Sequence, residues 1–324
     1  MARPIVYVTL SQFCKQDARP RRLLDEAGFE VRMNTCGRRL RPDELPALLR
    51  EVDAVIAGVE PYDAPLLAVL PRLRCVSRCG IGTDAIDLAA AQRQGIRVYT
   101  TADEVVEPVA QLTVAMMLAL ARNLPFHAAE SRASRWTKAT GHLLSEWTIG
   151  LVGFGRIGRA VEHLLRPFAP RIVVADPCCN LRDLPEGVEL RLLPALLAES
   201  DCVSLHASRR PDEGPLMGRT EFSQMKSGSV LVNTARGFLV DEVALLEALR
   251  KGGCLAGAAL DVFEEEPYTG PLAQWPTVLC TPHIATLTAD SRAAMERCSA
   301  QHVIEHFQRH SGVASSATAA GRTS

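Results

Sequence analysis

The stretch "VGFGRIG", residues 152–158, lies near the middle of the 324-residue chain and places three glycines at GxGxxG spacing. A β-rich run, "TIGLV", leads into it, and apolar residues at helical spacing follow it. In such a strand–turn–helix, Gly153 permits the tight turn, Gly155 lets the backbone approach a pyrophosphate, and Gly158 lets helix and strand pack closely. The free N–H groups at the start of the helix would face that pyrophosphate. The stretch therefore predicts a dinucleotide-binding domain.

An acidic residue supports this interpretation. Asp176 ends the next predicted strand, "IVVAD", about twenty residues after the glycines, where a carboxylate can accept hydrogen bonds from ribose hydroxyls. Such a carboxylate disfavours a 2′-phosphate, so Asp176 predicts NAD rather than NADP. Arg209 and Arg210, in the loop after "CVSLH", are the residues that would alter this choice.

Composition excludes several classes of protein. Apolar residues make up 47% of the chain and the net charge is −1, so no basic field indicates a nucleic acid or an acidic membrane. The longest apolar run, 112–121, is about half of the ~20 residues that a membrane span requires. The start "MARPIVYVTL" does not resemble a secretory signal. The ten cysteines are scattered without CxxC spacing, which indicates reduced thiols in a cytoplasmic protein.

The C-terminal segment repeats a potential metal ligand at every fourth position. These residues are Cys298, His302, His306 and His310. Such spacing lines the side chains along one helical face, and a long row cannot wrap around one ion. We interpret the row as a polar helix face and expect no metal.

Short β-rich runs alternate with helical patterns in two series. The first series has runs at 5–10, 29–33, 53–58, 73–78 and 96–100. The second series consists of "TIGLV", "IVVAD", "CVSLH", "SVLVN", "GAALDV" and "TVLCT". This alternation predicts two α/β domains, each with a parallel sheet between helices. No loop of the first domain carries GxGxxG, so the dinucleotide site is expected in the second.

Two segments depart from the alternation. The stretch 104–124, "EVVEPVAQLTVAMMLALARNL", is apolar on nearly every face, which predicts a helix buried within a domain or against another subunit. The end of the chain, 311–324, is rich in small polar residues and is expected to be disordered.

Three stretches near predicted strand ends carry the candidate chemistry: "NTARG" (233–237), "LDVFEEEP" (260–267) and "TPHIA" (281–285). Ligands of doubly wound folds bind at strand ends. Arg236 can hold a carboxylate in a bidentate fork, and His283 can exchange a proton near neutral pH. A glutamate hydrogen-bonded to that histidine would orient it and favour its charged form. The residues alone also allow two other interpretations: a histidine with a structural role only, and three glutamates that form a solvated acidic run.

The order of these motifs resembles the D-isomer-specific 2-hydroxyacid dehydrogenases over roughly residues 4 to 310. The resemblance rests on "GIGTDAIDL", "VGFGRIGRA", "VNTARG", "GAALDVFEEEP" and "TPHIA". It implies a catalytic trio of Arg236, Glu266 and His283. Glu266 is chosen from the three glutamates because the family's residue immediately precedes a proline, here Pro267. The activity implied is NAD-dependent hydride transfer that interconverts a small D-2-hydroxy acid and its 2-oxo acid.

The resemblance also implies the ligand-binding residues. The cofactor would be contacted by Gly153, Gly155, Arg156, Ile157, Gly158, Asp176, His206, Ala207, Thr234, Ala235 and Asp261. Asp261 matches the residue that holds the nicotinamide carboxamide. The loop "CGIGTD" matches the main-chain site for the substrate carboxylate, which would consist of Gly80, Ile81 and Gly82 together with Arg236.

The family's architecture implies two Rossmann-like or flavodoxin-like, doubly wound parallel-sheet domains. Residues 1–100 and 287–310 would form the substrate domain, and the NAD-binding domain, 101–286, would be inserted between them. Residues 101–147 resemble the family's dimerisation helix and arm, so the resemblance implies a homodimer. The other expected partner is a small-molecule substrate. Binding to a nucleic acid or to a membrane is not expected.

One departure and two rival functions remain. Phosphoglycerate dehydrogenases of the family usually carry an arginine in the loop matching 58–62, whereas this chain has Glu60, which is expected to repel a phosphorylated substrate. An NAD(H)-sensing corepressor of the same fold would share the motifs. A phosphite or formate dehydrogenase would share them too, although formate dehydrogenases usually have glutamine at the position of Glu266. The sequence does not select the 2-hydroxy acid or the physiological direction.

Overall fold

The computed structural model of the protein describes residues 3–208 and 213–311. Contacts between Cα atoms divide the chain into two compact units. The first unit runs up to Val105 and resumes at Leu287, and the second unit is Val106–Thr286.

The first unit contains a five-stranded parallel sheet in the order β2-β1-β3-β4-β5. Its strands are β1 (Ile5–Val8), β2 (Glu30–Met33), β3 (Ala54–Ala57), β4 (Cys75–Arg78) and β5 (Arg97–Thr100). Its helices are α1 (Arg19–Glu26), α2 (Leu45–Leu49), α3 (Ala64–Ala68), α4 (Leu88–Arg93) and α11 (Ala289–Ser311). The central strands β1 and β3 are buried at every residue, because helices cover both faces of a doubly wound sheet.

The second unit contains a seven-stranded parallel sheet in the order β12-β11-β10-β9-β6-β7-β8. Its strands are β6 (Thr148–Val152), β7 (Arg171–Ala175), β8 (Val188–Leu190), β9 (Cys202–Leu205), β10 (Ser229–Asn233), β11 (Leu255–Leu260) and β12 (Val278–Cys280). Its helices are α5 (Val106–Ala121), α6 (Leu124–Arg132), α7 (Arg156–Leu165), α8 (Leu193–Glu199), α9 (Arg219–Gln224) and α10 (Glu242–Leu249). The chain order reverses between β6 and β9, which is the topological switch point where such sheets bind ligands.

The predicted fold class is confirmed: both units are parallel-sheet α/β structures, and each predicted strand is present. The strand β8 was not predicted. It has three residues, all of them half-buried, and it lies at the edge of its sheet. An edge strand this short lacks the apolar run that identifies the central strands.

The apolar stretch predicted as a buried helix forms α5, which packs on α7 and on the strands β10 and β11. From the last two residues of α6 onward, residues 131–140 are all exposed, and Trp136 is 89% exposed. No single helix of the described part of the chain is long and apolar enough to cross a membrane; α5 and α6 reach that length only together, with a 65° bend between them.

Helix α11 contains the whole row of potential metal ligands. The His302 ring lies 3.3 Å (Nδ1) from Ser77 Oγ and 3.5 Å (Nε2) from Cys298 Sγ, and His306 Nδ1 lies 3.2 Å from Tyr99 Oη. These side chains therefore pack α11 against β4 and β5. Within residues 3–208 and 213–311, no three His, Cys, Asp or Glu side chains are grouped so as to hold a metal ion. Apart from Ser311, which ends α11, the tail predicted to be disordered lies outside the described residues.

Candidate active site

The glycine-rich turn follows β6 at the switch point. Gly153 has φ +94°, and a Cβ there would lie 2.6 Å from the backbone of His206 and Ala207, which follow β9. A Cβ on Gly158 would collide with the carbonyl oxygen of Gly153. These two glycines are therefore required by close backbone packing between the turn, the sheet and α7.

Gly155 serves a different purpose. It is the N-cap of α7, no side chain caps the helix, and a Cβ on Gly155 would meet no atom within 4 Å. Arg156 and Ile157 are the first helical residues, so their N–H groups lie at this open helix start. Open space at the start of a helix fits an anionic pyrophosphate, and the residues present thus fit a dinucleotide.

Asp176 lies directly after β7 and is half-buried. Its Oδ2 accepts a hydrogen bond from Phe154 N in the glycine turn, and its Oδ1 accepts one from Cys178 N, both at 2.7 Å. The carboxylate is thereby fixed beside the turn. Arg209 and Arg210, which were expected to influence the same region, lie outside the described residues.

His206 is the first residue after β9. Burial lowers the pKa of its imidazole to about 4, so the ring is neutral at pH 7. Its Nε2 lies 2.9 Å from Ser204 Oγ, whereas its buried Nδ1 has no hydrogen-bond partner among the described residues. The backbone of His206 thus lies against the glycine turn, and its neutral ring has one nitrogen without a partner among the described residues.

The turn that carries Arg236 follows β10 and is fixed at several points. The buried Asn233 accepts from Ala235 N (3.1 Å) and donates to Arg236 O (2.8 Å), which closes the turn. Thr234 Oγ1 lies 2.8 Å from Thr113 Oγ1 of α5. A Cβ on Gly237 would collide with the backbone of Phe263, so this turn packs directly on the segment after β11.

The segment that carries His283 is organised by Asp261, which is fully buried. The carboxylate accepts hydrogen bonds from Thr281 Oγ1 (2.6 Å), Ile284 N (2.8 Å) and Ala285 N (2.9 Å). His283 N donates to Asp261 O, and His283 has the left-handed φ of +54°. Asp261 therefore fixes the backbone around His283, a function that the sequence did not indicate.

Glu266 and His283 meet. His283 Nδ1 lies 2.9 Å and 3.1 Å from the two carboxylate oxygens of Glu266. Their side chains are 35% and 46% exposed, respectively. Because the carboxylate engages Nδ1, it orients the ring and leaves Nε2 as the nitrogen for proton exchange.

These segments leave the same edge of the sheet. The register pairs Asn233 with Leu260 and Leu260 with Cys280, so β10, β11 and β12 end side by side. Parallel strands place their carboxyl ends at one edge, where the glycine turn after β6 also lies.

In the first unit, the predicted carboxylate loop follows β4. Arg78 donates from Nε to Gly82 O (3.1 Å) and also donates to Cys79 O. Gly80 has φ +144°, and a Cβ on it would collide with the Arg78 guanidinium. Arg78 was not predicted, and it occupies carbonyl groups of the loop that contains Gly80, Ile81 and Gly82.

The prediction that Glu60 presents its charge to a substrate phosphate is wrong. Its side chain is only 3% exposed, and Oε2 accepts from Thr9 Oγ1 (2.8 Å) and Gly58 N (3.0 Å). The carboxylate is turned inward because these donors satisfy it at the ends of β1 and β3.

The sequence interpretation missed several supporting residues. They are Arg78, Thr113, Asn233 and Thr281. Asn233 and Thr281 lie inside the quoted motifs. Thr113 gave one signal: it is a buried hydroxyl among the apolar residues that fill the central turns of α5, and such a group needs a partner.

The fold and the residues at this edge of the sheet define a dinucleotide-binding protein with a hydrogen-bonded glutamate–histidine pair. Residues 114–285 match the model of the D-isomer specific 2-hydroxyacid dehydrogenase, NAD binding domain. The chain belongs to the D-isomer-specific 2-hydroxyacid dehydrogenase family, and this part of it is the NAD-binding domain.

Relatives support the assignment. The chain is 33% identical to the glyoxylate reductase of Thermofilum pendens over 323 residues, which cover 94% of this chain and 91% of the relative. It is 35% identical to the D-3-phosphoglycerate dehydrogenase of Mycobacterium bovis over 255 residues, covering 77% of this chain and 48% of the relative. The chain thus spans about half the length of that relative. The crystal structure of the TT0316 protein from Thermus thermophilus superposes with a TM-score of 0.84 at 33% identity, covering 94% of this chain and 97% of that one.

Proposed function

We propose that the protein is an NAD-dependent oxidoreductase that interconverts a small D-2-hydroxy acid and its 2-oxo acid. The observation that carries this proposal is the Glu266–His283 hydrogen bond at the edge where β10, β11 and β12 end. A carboxylate–imidazole pair is the means to protonate a carbonyl oxygen or to deprotonate a hydroxyl near neutral pH.

The chemistry divides among few groups. Bound NADH supplies the hydride that reduces the carbonyl carbon, and NAD⁺ accepts it in the reverse direction. In reduction, His283 donates its Nε2 proton to the carbonyl oxygen, and Glu266 stabilises the imidazolium before the transfer. Arg236 holds the substrate carboxylate, so that the carbonyl is oriented before reaction. Within the first unit, we propose the amides of residues 80–82 as a main-chain site for a carboxylate.

The dinucleotide would be held mainly by the turn after β6. We assign its pyrophosphate to Gly153, Gly155, Arg156, Ile157 and Gly158, because the open helix start lies there. The remaining proposed contacts are Asp176 at the ribose, His206 and Ala207 after β9, the backbone alone of Thr234 and Ala235 after β10, and Asp261 near the nicotinamide. Asp261 has one acceptor position beyond its three protein hydrogen bonds.

We further propose that the first unit is the substrate domain and that the protein is a cytoplasmic homodimer. All ten cysteines are free thiols, as expected in a reducing compartment. The exposed segment 131–140 follows the predicted dimerisation helix. Its Trp136 would be the apolar side chain that anchors the segment to the partner subunit.

A panel of small 2-oxo acids, including glyoxylate, hydroxypyruvate and pyruvate, tests the activity by the oxidation of NADH. Formate and phosphite are assayed in parallel with NAD⁺. Turnover of at least one 2-oxo acid that is lost in His283→Asn is the expected result. Tight NADH binding without turnover of any of these compounds would contradict the proposal and favour an NAD(H)-sensing protein.

A further inference from the structure

A pair of threonine hydroxyls joins α5 to the turn that carries Arg236. Thr113 is fully buried and Thr234 is 6% exposed. Their Oγ1 atoms are 2.8 Å apart, and Thr113 Oγ1 is also 2.8 Å from Val109 O, one helical turn earlier. Thr113 thus connects a main-chain carbonyl of the helix with a side chain two positions before Arg236.

The direction of these hydrogen bonds follows from the donors available. Val109 O can only accept, so the single hydrogen of the Thr113 hydroxyl is directed to it. The hydrogen between the two threonines must then come from Thr234. Thr234 therefore donates to Thr113, and this donation fixes the rotamer of Thr234 at the start of the turn.

The turn has little other freedom. Asn233 closes it through the backbone of Ala235 and Arg236, and Gly237 packs against Phe263. The Thr234 side chain forms a hydrogen bond between this turn and α5. If the Thr234 side chain rotated toward another acceptor, it would move the backbone that directs the Arg236 guanidinium.

We propose that Thr113 is a positioning residue for the Arg236 clamp, acting through the hydroxyl of Thr234. The inference rests on the proposed function, because Arg236 is taken to bind the substrate carboxylate. It predicts an asymmetry between the two threonines. Thr113→Val leaves the buried Thr234 O–H without an acceptor, whereas Thr234→Val leaves Thr113 still bonded to Val109 O.

The experiment compares Thr113→Val, Thr113→Ser and the double variant Thr113→Val/Thr234→Val. We expect Thr113→Val to raise KM for the 2-oxo acid about tenfold, with the Kd for NADH within about twofold of native. Thr113→Ser keeps the hydroxyl and should recover most of the loss. The double variant removes the orphan donor and should recover at least half of it, on a logarithmic scale.

Amide hydrogen exchange of residues 235–237 provides a readout that does not depend on turnover. Exchange at these amides should be faster in Thr113→Val than in the native protein, and slower in the double variant than in Thr113→Val. A native KM in Thr113→Val, or a double variant as impaired as Thr113→Val, would overturn the positioning role. An unchanged exchange rate at the turn would overturn it as well. Absence of turnover in the native protein would instead contradict the proposed function, and the exchange comparison would still decide the positioning role.

Discussion

Asp176 fixes local structure, and we propose that the same side chain sets the choice of cofactor. Its two oxygens accept from Phe154 N and Cys178 N, so a fixed negative charge lies beside the glycine turn. That charge repels the 2′-phosphate of NADP.

We predict that kcat/KM with NADH exceeds that with NADPH at least tenfold, or about 1.4 kcal/mol. Asp176→Asn keeps the shape and one acceptor oxygen but removes the charge, so it should reduce the preference severalfold. Comparable use of both cofactors by the native protein would contradict this role of Asp176.

His206 makes stability depend on pH. The pKa of its buried imidazole is lowered to about 4, whereas the unfolded chain titrates near the ordinary value of 6.5. Between these values the unfolded state binds the additional proton, so the stabilisation present above pH 6.5 is lost as the pH falls toward 4.

We expect the free energy of unfolding to fall by up to about 2 kcal/mol more in the native protein than in His206→Gln between pH 7.5 and pH 5. Urea denaturation of both proteins at the two pH values measures this difference. Equal losses in both proteins would show that His206 is not the titrating group.

Glu60 and Asp261 mark the limit of sequence interpretation at this scale. Both were expected to face a ligand, and both direct their carboxylates mainly to protein donors. A motif identifies which residue lies near a site. The hydrogen-bond donors that its carboxylate contacts belong to other segments of the chain, and only the folded structure brings them together.

Among the elements, the turn between β6 and α7 separates two roles of glycine. A Cβ on Gly158 collides with Gly153 O, whereas a Cβ on Gly155, whose φ is −73°, meets only open space. Gly158 is required by packing, and we propose that Gly155 keeps the pyrophosphate site open.

Gly158→Ala should therefore lower the free energy of unfolding by about 1–3 kcal/mol. Gly155→Ala should leave stability within about 0.5 kcal/mol of native and weaken NADH binding at least tenfold. Thermal unfolding and a fluorescence titration with NADH measure the two effects. If the Gly155→Ala protein bound NADH as tightly as the native protein, the assignment of the pyrophosphate to this turn would be wrong.

The strands were predictable from sequence because buried strands of parallel sheets are continuous apolar runs between turn residues. The edge strand β8 lacked that signal. The supporting bonds of the site were not predictable in the same way. Thr113 and Thr234 are 121 positions apart in the chain, and only the packing of α5 on the sheet brings them together.

On the scale of the whole molecule, the main prediction is the homodimer. An indole that is 89% exposed, in a segment exposed throughout 131–140, is costly in water and well suited to a partner surface. We expect light scattering coupled to size exclusion to give the mass of a dimer.

Trp136→Ser should weaken that dimer and shift the mass toward the monomer upon dilution. Leu181→Ser provides a matched control, since Leu181 is 72% exposed but lies outside the predicted arm. A native protein that is monomeric at micromolar concentration, or a Trp136→Ser protein that dimerises as native, would contradict the proposed interface.

The account as a whole depends on proton transfer by His283, oriented by Glu266. The most direct test mixes NADH-loaded protein rapidly with the preferred 2-oxo acid and follows a single turnover of NADH. We predict that His283→Asn binds NADH within about twofold of native but transfers hydride at least about 100-fold more slowly, and that Glu266→Gln is intermediate. Hydride transfer at the native rate in His283→Asn would contradict the central claim.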